Sequence, residues 1–177
     1  MMGEHMRIDV YFDMDGVPAV YGFGDTVEQM KRPGYFANRP AQENVIQLVK
    51  QLLTDDHFAV HFLSAVFDDE HSVWDKRLWL EHHGLSEVDT IFVPCGANKA
   101  LYIKPGQLNV LVDDYTDNLI NWEAQGAGYL GVKFDNGGNG RKGTWRRRGG
   151  LSLSCALTAE EMYRGICVMC MMQSAVA

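Results

Sequence analysis

Apolar residues along this chain gather into short unbroken runs, and longer stretches with helical spacing lie between them. Five runs rich in β-branched and aromatic residues predict strands at 8–12, 59–63, 90–93, 110–112 and 129–134. Continuous rather than alternating hydrophobicity is what a parallel sheet covered on both faces requires. The intervening stretches predict helices. Over 41–53, Val45, Leu48, Val49 and Leu52 recur at i, i+3, i+4, i+7 and form one apolar stripe. Over 73–83, Trp74, Leu78 and His82 fall on one side, and Gly84 supplies a stop. A third helix is expected over 117–125, opened by Asp117 as N-cap. A fourth is expected over 158–169, where Thr158 and Glu161 have the spacing of a capping box.

Strands alternating with helices imply right-handed crossovers and a Rossmann-like α/β fold with a doubly wound parallel sheet. The 177 residues suit a single domain. Residues 17–40, rich in Gly, Pro and aromatics, fit neither period and predict a small cap inserted after the first strand.

In such sheets ligands bind beyond the carboxyl ends of the strands. Asp13 and Asp15 fall at the end of the first predicted strand, Ser64 at the end of the second, and Asp113 and Asp114 at the end of the fourth. Lys99 opens the segment leading into the fourth. Taken singly, each has an ordinary explanation: a turn or cap residue, or a solvated lysine. Taken together they converge on one crevice. Two like charges ~4 Å apart repel by about 4 kcal/mol at an effective dielectric of 20, so converging carboxylates call for a cation. Oxygen ligands favour a hard ion, and Mg²⁺ binds through one or two carboxylates plus a phosphate.

Four stretches in order, Asp13-Met-Asp15-Gly16-Val17, His61-Phe-Leu-Ser64, Asn98-Lys99-Ala100 and Leu111-Val-Asp113-Asp114, resemble the motifs of the haloacid dehalogenase superfamily. The resemblance spans about three-quarters of the chain and implies a role for each residue. Asp13 would be the nucleophile that forms an aspartyl-phosphate, and Asp15 the general acid and then base. Ser64 and Lys99 would bind the phosphoryl oxygens. Mg²⁺ would be held by Asp13, the Asp15 backbone carbonyl and Asp114, with Asp113 either a ligand or a partner behind the ligands. An acid two residues after the nucleophile is similar to the phosphate-ester branch rather than to the dehalogenases.

Lys31-Arg-Pro-Gly-Tyr35-Phe36, Leu111-Val-Asp-Asp-Tyr-Thr-Asp-Asn-Leu119 and Gly131-Val-Lys-Phe-Asp-Asn136 narrow the resemblance to the 5′(3′)-deoxyribonucleotidase family. There, cap aromatics stack on the nucleobase, which makes Tyr21, Phe23, Tyr35 and Phe36 the candidates, with the cap's own small core as the competing account. The implied substrate is a nucleoside monophosphate. The alternatives are a phosphatase for another small phosphate ester, a phosphotransferase, or a non-catalytic interaction module.

Charge and composition narrow the field further. A net charge of −7 disfavours general binding to nucleic acids or anionic membranes. No apolar run reaches the ~18 residues of a membrane span, and the N-terminus lacks a signal-peptide pattern, so a cytoplasmic location is expected. The four cysteines are too few and too unevenly placed for a disulfide framework. Cys167-Val-Met-Cys170 lacks two further zinc ligands nearby and is expected to be a pair of helix thiols. The Gly138–Gly143 pattern G-x-G-x-x-G precedes no helix start and is expected to be a turn, and the basic stretch 141–148 around Trp145 a solvated loop.

Overall fold

A computed structural model describes residues 7–139 and 151–174. The basic stretch 141–148 and all but the start of the Gly138–Gly143 pattern lie outside the described residues. Strands β1 (Ile8–Phe12), β2 (Phe58–Val66), β3 (Asp89–Pro94), β4 (Leu108–Asp113), β5 (Tyr129–Asp135) and β6 (Ser152–Ser154) form one sheet in the order β3-β2-β1-β4-β5-β6. Every pairing is parallel. All five predicted strands are present. The sixth is three residues long and mostly polar, too short to leave a pattern, and exists because Phe134 and Leu153 pair across the sheet edge.

Helices α2 (Glu43–Leu53), α3 (Ser72–His82) and α5 (Ala159–Ser174) follow the expected segments, as does α4 (Thr116–Glu123). Val45, Leu48, Val49 and Leu52 of α2 are buried as the stripe requires. They share a core with β1 residues Val10 and Phe12, with Trp79 and Leu80 of α3, and with Met162 and Ile166 of α5. The opposite face of the sheet packs Tyr11, Leu63 and Leu111 against Leu119 and Trp122 of α4. Thr158 and Glu161 form the expected reciprocal cap, with Thr158 N donating to Glu161 Oε2 at 2.8 Å. Cys170 is buried and Cys167 half-buried within α5. Among the described residues no helix is long and apolar enough to cross a membrane.

Three local expectations need correction. Ser64 does not end β2: the strand runs on to Val66 because Ser64, Ala65 and Val66 pair with Phe92, Val93 and Pro94 of β3. In α3, Trp74 is 69% exposed, and the inward face carries Asp75, Lys76, Trp79 and Leu80 instead. Apolar residues fall on several sides of this short helix, so burial of Trp79 and Leu80 in the shared core settles its rotation. Asp117 is not the N-cap of α4; the helix starts one residue earlier at Thr116, and Asp117 lies in its first turn. There a carboxylate still favours the positive end of the helix dipole.

Between β1 and α2 the chain makes an excursion whose two ends run side by side. Val20 N donates to Pro40 O at 2.8 Å and Gln42 N to Pro18 O at 2.7 Å. It contains one capped turn, α1 (Val27–Met30). Trp79 Nε1 donates to Arg39 O at 2.8 Å and so ties the returning chain to α3.

Candidate functional site

β1 and β4 are neighbours in the sheet but far apart in sequence, and their parallel register places Phe12 opposite Val112. Asp13 follows directly on β1, its N–H bonded to Val112 O at 2.9 Å, while Asp113 closes β4 and Asp114 comes next. The reversal of strand order at this point opens the crevice where α/β sheets bind ligands. Asp13, Asp113 and Asp114 each bring one carboxylate oxygen within 4.8 Å of the others. Gly16 makes the approach possible. Its φ is +81°, and a Cβ there would run into the Asp114 carboxylate and the Asn136 amide.

Two buried lysines pair with acids of this cluster, Lys99 with Asp13 and Asp113 and Lys76 with Asp15. Lys99 opens a 3₁₀ turn (Lys99–Tyr102) capped by Asn98, and its ammonium lies 2.8 Å from Asp13 Oδ1 and 2.7 Å from Asp113 Oδ2. Burial works against its charge, yet Asp113 and Asp13 raise its pKa above the ordinary lysine value. Asp113 is fully enclosed. Its Oδ2 also accepts from Asn118 Nδ2 at 2.9 Å, and its Oδ1 accepts from Tyr115 N at 2.8 Å. Asp113 therefore orients Lys99 and the turn that follows.

The second lysine is Lys76, which no motif in the sequence marks. It is buried on the inner face of α3 and donates to Asp15 Oδ2, to Ser64 Oγ at 2.8 Å and to Ala65 O at 2.6 Å. The Phe36 ring lies 4.6 Å from its ammonium. In sequence Lys76 looks like any helix-surface lysine. The only signal is its spacing of three and four from Trp79 and Leu80, which puts it on the buried side.

A cleft of about 640 Å³ opens over this cluster, within the range of small-ligand sites. Asp13, Asp15, Lys99, Asp114 and Lys133 line it, with Tyr21, Phe23, Cys95 and Tyr115 among the more exposed lining residues. Of the four aromatic candidates, only Tyr21 and Phe23 line the cleft, packed edge to face at 5.2 Å. Tyr35 and Phe36 pack edge to face on each other inside the excursion, with the Tyr35 hydroxyl donating to Asp25 at 2.7 Å. Ser64 is fully buried beneath Lys76 and does not line the cleft, because β2 continues past it.

Electrostatics set the resting state of the acids. Burial, then repulsion from Asp13 and Asp113, pushes the Asp114 carboxyl up to about 8. Burial also raises Asp15; Lys76 opposes the rise and Asp13 adds to it. The folded chain thus keeps protons that an unfolded chain releases near pH ~4. Folding takes up protons from there to about pH 8, so stability falls as pH rises through that window. In chelator, the thermal midpoint should fall between about pH 5 and about pH 8, and Asp114→Asn should flatten the slope without abolishing it, because Asp15 contributes in the same sense. A flat profile in the unaltered protein would contradict this arrangement.

The donor set fits a hard divalent cation: clustered carboxylates, one of them pushed up to about 8 by burial and its acidic neighbours, and oxygen atoms only. No family model matches the chain, and no curated protein matches it either.

Proposed function

We propose that the chain is a Mg²⁺-dependent phosphomonoester hydrolase that works through an aspartyl-phosphate on Asp13 and acts on a nucleoside monophosphate. One observation carries the reading: Asp13 stands between the Lys99 ammonium and the Asp114 carboxylate, with Asp15 two residues on, at the floor of one cleft. A structural ion pair has no use for a second acid beside an exposed cleft, whereas in-line phosphoryl transfer needs a nucleophile, an acid and compensating charge.

Asp13 would hold the ion together with the Asp15 carbonyl and Asp114. Asp113, whose oxygens already receive protein donors, would stay behind them. The ion would supply positive charge to the phosphoryl oxygens and to the Asp13–Asp114 pair. An Asp13 carboxylate oxygen attacks phosphorus, and the ester P–O bond breaks as Asp15 passes its proton to the leaving oxygen. Asp15 then takes a proton from the water that attacks the phosphorus of the aspartyl-phosphate, releasing phosphate and restoring Asp13. Burial favours the protonated Asp15 that the first step needs. Lys99 neutralises charge on Asp13 and the phosphoryl group, and Lys76 keeps Asp15 aimed into the cleft. Ser64 would contribute through Lys76 in this geometry. The excursion over 17–40 would act as the cap.

Phosphate release across nucleotides and sugar phosphates, with Mg²⁺ and with chelator, tests the proposal. Release should require the metal and favour nucleoside monophosphates. No release from any substrate would sink the hydrolase reading, and a preference for a sugar phosphate would remove only the nucleotide. Exposed Phe23 and Tyr21 support the nucleotide. Stacking on an aromatic contributes about 1–3 kcal/mol per base, so Phe23→Ala should raise KM for nucleoside monophosphates about tenfold. Release from glycerol phosphate should be unchanged; an equal loss there would make Phe23 a structural cap residue.

A further inference from the structure

Asn136 sits one residue past β5, beside both Asp114 and the loop that follows β1. Its amide nitrogen donates to Asp114 Oδ2 at 2.8 Å and to Gly16 O at 3.2 Å. Its amide oxygen accepts from Gly138 N at 3.1 Å and from Asn139 N at 2.9 Å. All four hydrogen-bonding positions of the amide are engaged, which fixes which end is nitrogen. No other short side chain offers two donors and two acceptors at this spacing. Aspartate has the shape but would turn an oxygen towards the Asp114 carboxylate, and glutamine is one methylene too long. Gly16, where any Cβ would collide with both Asp114 and Asn136, shows how closely the three segments meet.

We infer that Asn136 is a positioning residue that locks the Asp114 carboxylate in place by tying it to the carbonyl of the loop carrying the nucleophile. The inference rests on the Mg²⁺ reading above and deepens it. Asp114 follows the end of β4 and has no strand pairing of its own to hold its side chain. Backbone support comes from Lys133 Nζ and from Asn139 Nδ2, which both donate to Asp114 O. These hold the main chain, while Asn136 holds the carboxylate itself. A ligand aimed in advance does not lose rotamer freedom when the ion binds, and partners behind metal ligands of this kind change affinity by roughly 10–100-fold.

Calorimetric titration of Mg²⁺ into the whole protein, without substrate, tests the inference. Asn136→Ala should raise the dissociation constant about tenfold or more. The amount of Mg²⁺ needed for half-maximal phosphate release should rise in step, with kcat recovering at saturating Mg²⁺. Asp135→Ala serves as the loop control. It removes the 3.0 Å bond from Gly137 N but touches nothing at Asp114, so its Mg²⁺ affinity should stay within about twofold. Should the alanine variant not fold, Asn136→Ser keeps a hydroxyl to cap the loop but cannot reach Asp114 and Gly16 together, and should show the same loss. Equal weakening in the Asp135 and Asn136 variants, or none in the latter, overturns the role of the amide. If the unaltered protein binds no Mg²⁺, both readings fall. If it binds Mg²⁺ and releases phosphate while the Asn136 variants match it, the positioning role alone falls.

Discussion

Asp13→Asn should reduce Mg²⁺-dependent phosphate release by about 10⁴-fold or more, since an amide offers phosphorus no nucleophile at neutral pH. The change is nearly isosteric. It removes one of the charges that raise Asp114, and it leaves Lys99 paired with Asp113 at 2.7 Å. The fold should therefore survive, with a chelated thermal midpoint close to that of the unaltered protein. Asp114 should ionise more readily, so the pH-dependent loss of stability should shift to lower pH. Mass analysis after rapid acid quenching should find a phosphoryl group on the peptide containing Asp13 in the unaltered protein and none in the variant. Full activity in Asp13→Asn would end the aspartyl-phosphate mechanism whatever the metal does.

Lys76→Met should lower kcat by about 10²–10³-fold, the scale seen when one preorganised donor is removed from an active site. Lys76 is the donor that holds both Asp15 and Ser64, and methionine matches its length without charge or hydrogen bonds. The pH profile separates this role from simple packing. Lys76 pulls the Asp15 carboxyl down against burial, so its loss should raise that pKa further. Because Asp15 must carry a proton in the first step, the alkaline limb of the kcat profile should move to higher pH even as the maximum falls. Breaking a fully buried pair typically costs about 3–5 kcal/mol, and less is expected here because Asp15 is 24% exposed and can take up a proton. An unmoved limb would mean that Lys76 supports the fold and not the acid.

Asp13, Asp113, Asp114 and Lys99 were legible as one cluster in the sequence. The three acids lie at or just beyond the ends of strands whose unbroken hydrophobicity already demands a parallel sheet, and Lys99 opens the segment leading into β4. Ser64 was placed in the right strand but at the wrong depth, since pairing with β3 extends β2 by two residues past it. Tyr21 and Phe23 could not be told apart from Tyr35 and Phe36 by composition. Which pair faces the cleft depends on how the excursion folds back: Asp25 captures the Tyr35 hydroxyl, and Phe36 settles over Lys76.

From its sequence alone this chain determines an α/β class, five strands of the sheet and the placing of its acids at strand ends. Those features follow from local periodicity, because a strand buried on both faces must be apolar throughout. Tertiary structure alone decided the rotation of α3, the burial of Lys76 against Asp15, and the tie from Asn136 to Asp114. Each depends on contacts between segments tens of residues apart, 61 in the case of Lys76 and Asp15. A lysine or an asparagine has the same local preferences whether it faces solvent or a carboxylate. Only the packing of α3 and of the loop after β5 against the loop after β1 makes these two part of the Asp13-Met-Asp15-Gly16 site.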